Sequence, residues 1–361
     1  MKKIFLVLLC MSYLLVADSQ YILVDEYYSQ NKEQKQFFKK FSNQVSKVGN
    51  KIEFNQKQPI KIYMIYPGKQ VSDYWRRSKS SFEARLKEIG VDYQLTDYFT
   101  KPGIEISEQA KALFKALNND IDYLVFTLDA KKHLNFVNTI LNRGKPKLIL
   151  QNITTPLKSL ETNQPFLYDG FDHSIGAKII AKEYIKDVGT KGDYAVLYGP
   201  EGYVSYMRGD TFIQHIENNS DLKLVDSYYT NFNKEKSRLA TLDLLENHKN
   251  LKFIYACSTD IALGAIEALE EKNLLGKIKV NGWGGGSSEL QSIQDGKMDF
   301  TVMRMNDDNG VAMAEAISLD LQKRANEVPL IYSGDFELIK KGVSVEKLQK
   351  MKEKAFRYSG K

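Results

Sequence analysis

With 361 residues, of which 43% are apolar and 27% are charged, this chain has the composition of a folded protein with room for two lobes, and intrinsic disorder is excluded. The net charge of +6 comes from basic and acidic residues that are interspersed, so a nucleic acid is not an expected partner.

The first 19 residues have the pattern of a signal peptide. Lys2 and Lys3 form a positive start, residues 4–16 form an apolar segment, and residues 17–19 offer small side chains at a cleavage site. A membrane anchor is the alternative, but the apolar segment is shorter than the ~20 residues that span a bilayer. We therefore expect residues 1–19 to be removed from an exported protein.

The cysteine content follows from this interpretation. Cys10 leaves with the signal peptide, so the mature chain keeps only Cys257 and forms no internal disulfide. Lipidation at Cys10 is disfavoured because the bulky Leu9 precedes it. Since Cys257 ends an apolar segment, we expect it to be buried in the core and not to act as a nucleophile.

The mature chain alternates between short apolar segments and amphipathic ones. Residues 21–58 predict an N-terminal helical extension. The first series that follows predicts strands at 60–65, 91–99, 123–128 and 147–151, with helices at 74–89, 106–117 and 133–141. After a break at 156–164, the second series predicts strands at 194–198, 222–229, 253–257, 277–280 and 300–303, with helices at 175–184, 206–216, 237–245, 261–269 and 310–323 and a helical turn at 290–294. An extended segment at 329–339 and a helix at 345–355 end the chain.

Repeated strand–helix units predict parallel sheets that are flanked by helices. Two such series, joined by irregular crossings, predict an α/β protein of two lobes with a cleft between them. We expect residues 20–155, together with 304–330, to form the N-terminal lobe. We expect residues 156–303, together with 331–361, to form the C-terminal lobe.

The second lobe contains the most informative segment, residues 253–269. A buried strand is followed by Ser258, Thr259 and Asp260, after which a helical pattern begins. Open α/β sheets bind ligands at the carboxyl ends of their strands, so these three polar residues predict a ligand site. Helix capping alone is the alternative.

Polar and aromatic side chains also follow other predicted strands. Caps and solvated turns are the alternative for most of them. An arginine that emerges from a buried strand, as Arg304 does, instead needs an anionic or hydrogen-bonding partner. The further candidates at strand ends are Gln70, Ser72, Trp75, Asn152, Arg208, Trp283 and Arg304.

Signatures of catalysis are missing from the sequence. It has no phosphate-binding Gly-x-x-x-x-Gly-Lys-Ser/Thr loop and no Gly-x-Ser-x-Gly elbow. Its four histidines are far apart, so a metal site is not predicted. The glycines at 282–286 lack the spacing of a dinucleotide loop and predict a tight turn. An enzyme is therefore disfavoured, although Asp260 could act as a base.

The motifs at 66–75, 150–156, 255–265, 281–287 and 302–308 together resemble those of periplasmic autoinducer-2 receptors of the LuxP type. These receptors belong to the ribose/galactose-type periplasmic binding proteins, and the resemblance runs from about residue 59 to 359. It implies a two-lobed type I periplasmic binding protein fold. It also implies that the ligand-binding residues are Gln70, Ser72, Trp75, Asn152, Arg208, Ser258, Thr259, Asp260, Trp283 and Arg304.

The same resemblance implies a periplasmic receptor and no enzyme activity. Its ligand would be a furanosyl borate diester, with borate as part of the ligand and no separate cofactor. Its partner would be the periplasmic domain of a membrane sensor histidine kinase. The alternative is the substrate-binding component of a sugar uptake transporter, which would have the same fold and cleft.

Overall fold

The computed structural model describes residues 20–128 and 133–360. The predicted signal peptide and Cys10 lie outside the described residues. Within these ranges, no helix combines the length and the apolar character that crossing a membrane requires.

Two six-stranded sheets form the centres of the two lobes. The first sheet has the order β11-β5-β4-β3-β1-β2, and the second has the order β12-β10-β9-β8-β6-β7. All the neighbouring strands are parallel except β10 and β12, which are antiparallel. The strands are β1 (Ile60–Tyr66), β2 (Tyr93–Phe99), β3 (Tyr123–Thr127), β4 (Lys147–Gln151), β5 (Leu167–Phe171), β6 (Lys191–Tyr198), β7 (Asp221–Tyr229), β8 (Leu251–Ala256), β9 (Lys279–Gly284), β10 (Phe300–Arg304), β11 (Ile331–Gly334) and β12 (Phe336–Lys340).

Helices flank both sheets, which confirms the predicted two-lobed α/β fold. They bury apolar faces, as α3 does with Phe82, Leu86 and Ile89, and α3 ends at Gly90, whose φ of 86° favours glycine. The helices are α1 (Val24–Gln30), α2 (Lys32–Val45), α3 (Tyr74–Ile89), α4 (Ile106–Leu117), α5 (His133–Asn142), α6 (His173–Val188), α7 (Tyr203–Ser205), α8 (Thr211–Asn219), α9 (Lys234–Asn247), α10 (Thr259–Glu271), α11 (Ser287–Gln294), α12 (Asp307–Leu321) and α13 (Val345–Ala355).

The lobe boundaries differ from the predicted ones at two places. Strand β5 belongs to the first sheet, so the chain first crosses to the second lobe after Phe171 and not at residue 155. The strand was missed because Asp169 and Gly170 interrupt its apolar pattern. The extended segment predicted at 329–339 is two strands: β11 completes the first sheet and β12 completes the second. The return crossing after Arg304 lies where it was predicted, because β10 is in the second sheet and α12 packs on α3.

Two local differences bear on the site. Strand β9 continues through Gly282 to Gly284, so Trp283 lies in a strand and not in the predicted tight turn. The helix predicted at 206–216 begins with a widened π-helical turn at 206–210, which holds Arg208, and α8 follows it. Such wide turns inside helices often occur at functional sites.

The predicted N-terminal helical extension is present as α1 and α2, which pack on the first lobe. The hydroxyl of Tyr28 donates to the carbonyl of Ile331 in β11, and the amide N–H of Leu330 donates to the side chain of Gln34. These helices therefore fix the strand that leads into the last crossing between the lobes.

Candidate ligand-binding cleft

One cavity lies between the lobes, at the carboxyl ends of the parallel strands. This is the position where open α/β sheets bind ligands. Nine of the ten predicted site residues line the cavity: Gln70, Ser72, Trp75, Asn152, Arg208, Ser258, Thr259, Trp283 and Arg304. The structure therefore brings together residues that are more than 200 positions apart in the sequence.

Arg208 projects from the π-helical turn and is only 4% exposed. One terminal nitrogen of its guanidinium donates to the carbonyl oxygen of Cys257 at 2.8 Å, and Nε donates to Nδ1 of His173 at 3.4 Å. The guanidinium carbon lies 3.7 Å from the ring centroid of Trp283. A planar cation is thus held between a carbonyl, an imidazole and an indole face.

Arg304 ends β10 and is also 4% exposed. Its guanidinium stacks on Tyr74, with 3.9 Å from its carbon to the ring centroid. A terminal nitrogen lies against Gly284, where a Cβ would approach it to 2.5 Å, so the close approach requires glycine. Nε of Arg304 has no hydrogen-bond partner among the described residues. Because buried donors are usually paired, this N–H is available to a group that enters the cavity.

The two arginines lack the carboxylates that buried cations usually have. Among the described residues, no ion pair within 4.0 Å includes Arg208 or Arg304. Burial, and next the charge of Arg304, lower the pKa of Arg208 to about 9, and burial also lowers the pKa of Arg304. The carboxylates of Glu289 and Asp73 act on Arg304 by charge and oppose that lowering, but neither lies within ion-pair distance of it. Two guanidiniums therefore line the cavity without a carboxylate in direct contact among the described residues.

Hydroxyl and amide groups surround the cations. Ser258 caps α10 with its side chain, which confirms the capping role, and it also lines the cavity, where its contact with a ligand stays a prediction. Asn152 has a φ of 64°, and its buried side-chain oxygen lacks a partner among the described residues. The side chain of Gln70 donates to the carbonyl of Pro67 in its own loop. These groups provide hydrogen-bond donors and acceptors for a ligand rich in oxygen.

The two tryptophans form buried aromatic walls. Trp75 packs against Tyr66 and Tyr74, with centroid distances of 4.8 Å and 4.7 Å. Trp283 donates from its indole nitrogen to the hydroxyl of Tyr255 at 3.1 Å, which fixes its ring plane. Rigid aromatic walls with a few directed polar groups are typical of small-molecule sites.

Asp260 differs from the other predicted ligand-binding residues, because it does not line the cavity. Its carboxylate accepts the backbone N–H groups of Val71 at 2.9 Å and Ser72 at 3.1 Å, across the cleft in the first lobe. Burial raises the pKa of Asp260, and these two N–H groups oppose that effect. The interpretation of Asp260 as a ligand contact thus gives way to a contact between the lobes.

A second carboxylate makes the opposite contact. Asp73, in the first lobe, accepts the N–H and the hydroxyl of Ser287 in the second lobe at 3.2 Å and 2.9 Å. Burial raises the pKa of Asp73, but hydrogen bonds and charge from Arg77 outweigh it, and the net pKa is lowered. We call these contacts, Asp260 to Val71–Ser72 and Asp73 to Ser287, the reciprocal clasp. They show the cleft in a closed form.

Sequence reasoning missed several residues of the cavity wall and one, His173, that lies behind it. Tyr74 could have been found, since it lies beside Trp75 at the start of α3. His173 opens α6 directly after the first crossing, but a lone histidine gave no signal of its contact with Arg208. The remaining wall residues, which carry no distinctive motif, are Pro67, Pro102, Val204 and Phe232.

Comparisons with known proteins identify the family. A family model described as a periplasmic binding protein domain matches residues 62–324. The D-allose-binding periplasmic protein of Escherichia coli K12 is 24% identical over 273 residues, which cover 74% of this chain and 86% of that protein. The D-apiose import binding protein of Paraburkholderia graminis is 26% identical over 219 residues, which cover 55% and 70% of the two chains.

Solved structures show the same fold. An ABC transporter periplasmic solute binding protein from Actinobacillus succinogenes 130z, with bound D-allose, aligns with a TM-score of 0.69 and 21% identity, over 81% of this chain and 99% of that one. A chain of the XylFII–LytSN complex aligns with a TM-score of 0.67 and 20% identity, over 79% and 99%. From the family match over most of its length, the chain belongs to the periplasmic binding protein domain family.

Proposed function

We propose that this protein binds the quorum-sensing signal autoinducer-2, as a furanosyl borate diester, in the cleft between its lobes. The observation that carries the proposal is the pair of buried guanidiniums, Arg208 and Arg304, which line one cavity and have no carboxylate within 4.0 Å in the part of the chain that the structure describes. Two like charges in one buried site repel each other unless an anion lies between them.

The borate diester supplies that anion. Its tetrahedral boron carries a negative charge, which the two guanidiniums neutralise with directed N–H donors. The free Nε–H of Arg304 and the free side-chain oxygen of Asn152 match an oxygen-rich ligand that both donates and accepts. Trp75 and Trp283 cover the ring faces.

The proposal includes a signalling role in the periplasm. A periplasmic protein can pass a signal to the cytoplasm only through a protein that spans the membrane. We propose the periplasmic domain of a sensor histidine kinase as that partner. A closing cleft changes the surface that such a partner meets. The XylFII–LytSN complex supports the idea that a protein of this fold can associate with a second protein.

The second candidate is the substrate-binding component of a sugar uptake transporter. The names of the relatives favour it, since they are binding proteins for D-allose and for D-apiose import. The fold is equally compatible with it. The two guanidiniums favour the borate ligand, because an anion adds a charge in direct contact with them that a neutral sugar does not supply.

Calorimetric titration distinguishes the two candidates. We expect the wild type to bind autoinducer-2 in borate-supplemented buffer and to lose affinity in boron-free buffer. Arg208→Ala and Arg304→Ala each remove one buried charge contact, a loss on the order of 2–5 kcal/mol, so binding weakens at least about thirtyfold. Arg238→Ala, which removes an arginine from the surface ion pair with Glu235, is the matched control and keeps wild-type affinity.

The opposite results are equally informative. Equal affinity with and without borate would show that the ligand is not borated. Tight binding of D-allose or D-ribose by the wild type, without a response to borate, would establish the transport candidate.

A further inference from the structure

His173 joins ligand-facing groups of the two lobes through one ring. It is fully buried at the start of α6, directly after the first crossing between the lobes. Its Nε2 lies 3.0 Å from the carbonyl oxygen of Asn152, in the first lobe. Its Nδ1 receives the Nε–H of Arg208, in the second lobe, at 3.4 Å.

These two partners determine the protonation of the imidazole. A carbonyl oxygen only accepts hydrogen bonds, so Nε2 must carry the proton. A guanidinium only donates, so Nδ1 must present its lone pair. A charged imidazole would point an N–H at the guanidinium, in a buried site beside a second cation, Arg304. Burial and then the charge of Arg208 accordingly lower the pKa of His173 well below its usual value.

The surroundings hold the ring in this orientation. Trp283 meets it edge-on at a centroid distance of 5.3 Å, and Tyr203 packs against it at 5.5 Å. Asn152 is held as well, because its positive φ places its backbone against Gly170, where a Cβ would approach Ile153 N to 3.0 Å. The imidazole therefore links a strained loop in one lobe with the guanidinium in the other.

We propose that His173 is a positioning residue of the binding site, whose neutral, Nε2-protonated ring orients Arg208 through Nδ1 and Asn152 through Nε2. This inference rests on the proposed ligand-binding role of Arg208 and Asn152. The ring does not line the cavity, so it acts on the ligand through these two residues.

Two substitutions separate the two functions of the ring. The side-chain amide of asparagine reaches the position of Nδ1, so His173→Asn keeps an acceptor for Arg208 and loses the donor to Asn152. Glutamine reaches the position of Nε2, so His173→Gln keeps the donor and loses the acceptor. Tyr184→Phe removes a buried hydroxyl from the second lobe, away from the cavity, and is the control for a general loss of stability.

Calorimetric double-mutant cycles test the proposal. The probe is borate-supplemented autoinducer-2, or D-allose if the wild type binds only that sugar, so failure of the proposed ligand is seen separately. We expect His173→Gln to weaken binding about tenfold, and to add little when Arg208 is already alanine. We expect His173→Asn to be non-additive with Asn152→Ala. Full additivity in both cycles, or effects no larger than that of Tyr184→Phe, would overturn the proposal.

A ligand-free measurement completes the test. Long-range nitrogen–proton NMR correlations of the ligand-free protein at pH 7 report which ring nitrogen of His173 carries the proton. The expected result is a neutral ring that is protonated at Nε2. A ring protonated at Nδ1, or a charged ring, would refute the inference even if neither probe bound.

Discussion

The reciprocal clasp predicts that closure of the cleft depends on two carboxylates that do not line the cavity. Asp260→Ala removes an acceptor from two backbone N–H groups, those of Val71 and Ser72. A hydrogen bond to a charged group contributes about 1.5–3 kcal/mol, so the closed form loses at least about 3 kcal/mol. If the open form predominates without ligand, this loss enters the binding constant in full, and affinity falls about 100-fold.

Calorimetry and solution scattering measure the two consequences. In the wild type, ligand should reduce the radius of gyration, because contacts to both lobes favour the closed form. In Asp260→Ala, the same reduction should require a far higher ligand concentration. Val345→Ala, an exposed substitution on α13, is the control and should behave as the wild type.

Asp73→Ala separates the clasp from direct ligand contact. Asp73 accepts hydrogen bonds from Ser287 of the opposite lobe and does not line the cavity. Because its loss also destabilises the closed form, Asp73→Ala should weaken binding, as Asp260→Ala does. If Asp260→Ala weakened binding while Asp73→Ala had no effect, Asp260 would be a ligand contact and the clasp argument would fail.

Two further predictions concern stability and partner binding. Burial raises the pKa of Asp308 to about 6, above its ordinary value of 3.8, so the folded protein binds this proton more tightly than the unfolded chain does. The contribution of Asp308 to stability should therefore increase as the pH falls from 7 to 5, by about 1 kcal/mol, since only the unit below its folded pKa lies in this window. Denaturant unfolding of the wild type and Asp308→Asn measures it, and a difference that stays constant with pH would contradict this. The mature protein should also bind the periplasmic domain of a sensor kinase from its own genome in a pull-down, and binding to a permease instead would support the transport candidate.

The position of the cleft could be predicted from sequence because parallel sheets constrain it. Within one sheet the parallel strands end at the same edge, so the polar residues that follow them, such as Ser258 and Arg304 in the second sheet, come together. Asn152 ends a strand of the first sheet, whose corresponding edge faces the same cleft. Arg304 could be predicted as a site residue because an arginine at the end of a buried strand needs a polar partner. Local pattern and sheet geometry therefore suffice for polar residues that directly follow a strand, but not for wall residues without a motif, such as Val204 and Phe232.

The features of the site that the sequence did not predict depend on contacts between distant segments of the chain. The sequence around Asp260 does not indicate that the backbone N–H groups of Val71 and Ser72, in the other lobe, donate to its carboxylate. His173 could not be linked to Arg208, because the contact needs the relative placement of a crossing segment and a π-helical turn. Strand β5 was not predicted, because Asp169 and Gly170 interrupt its apolar pattern, although both residues are buried in the structure.

The edge strands β11 and β12 have a consequence for the order in which the protein can be made. Each sheet takes one of its edges from residues 331–340, close to the carboxyl end of the chain. A ribosome that has synthesised the first 330 residues has therefore produced neither lobe in finished form. Domains that are contiguous in sequence can fold one after another during synthesis, but here both lobes must wait for the same ten residues.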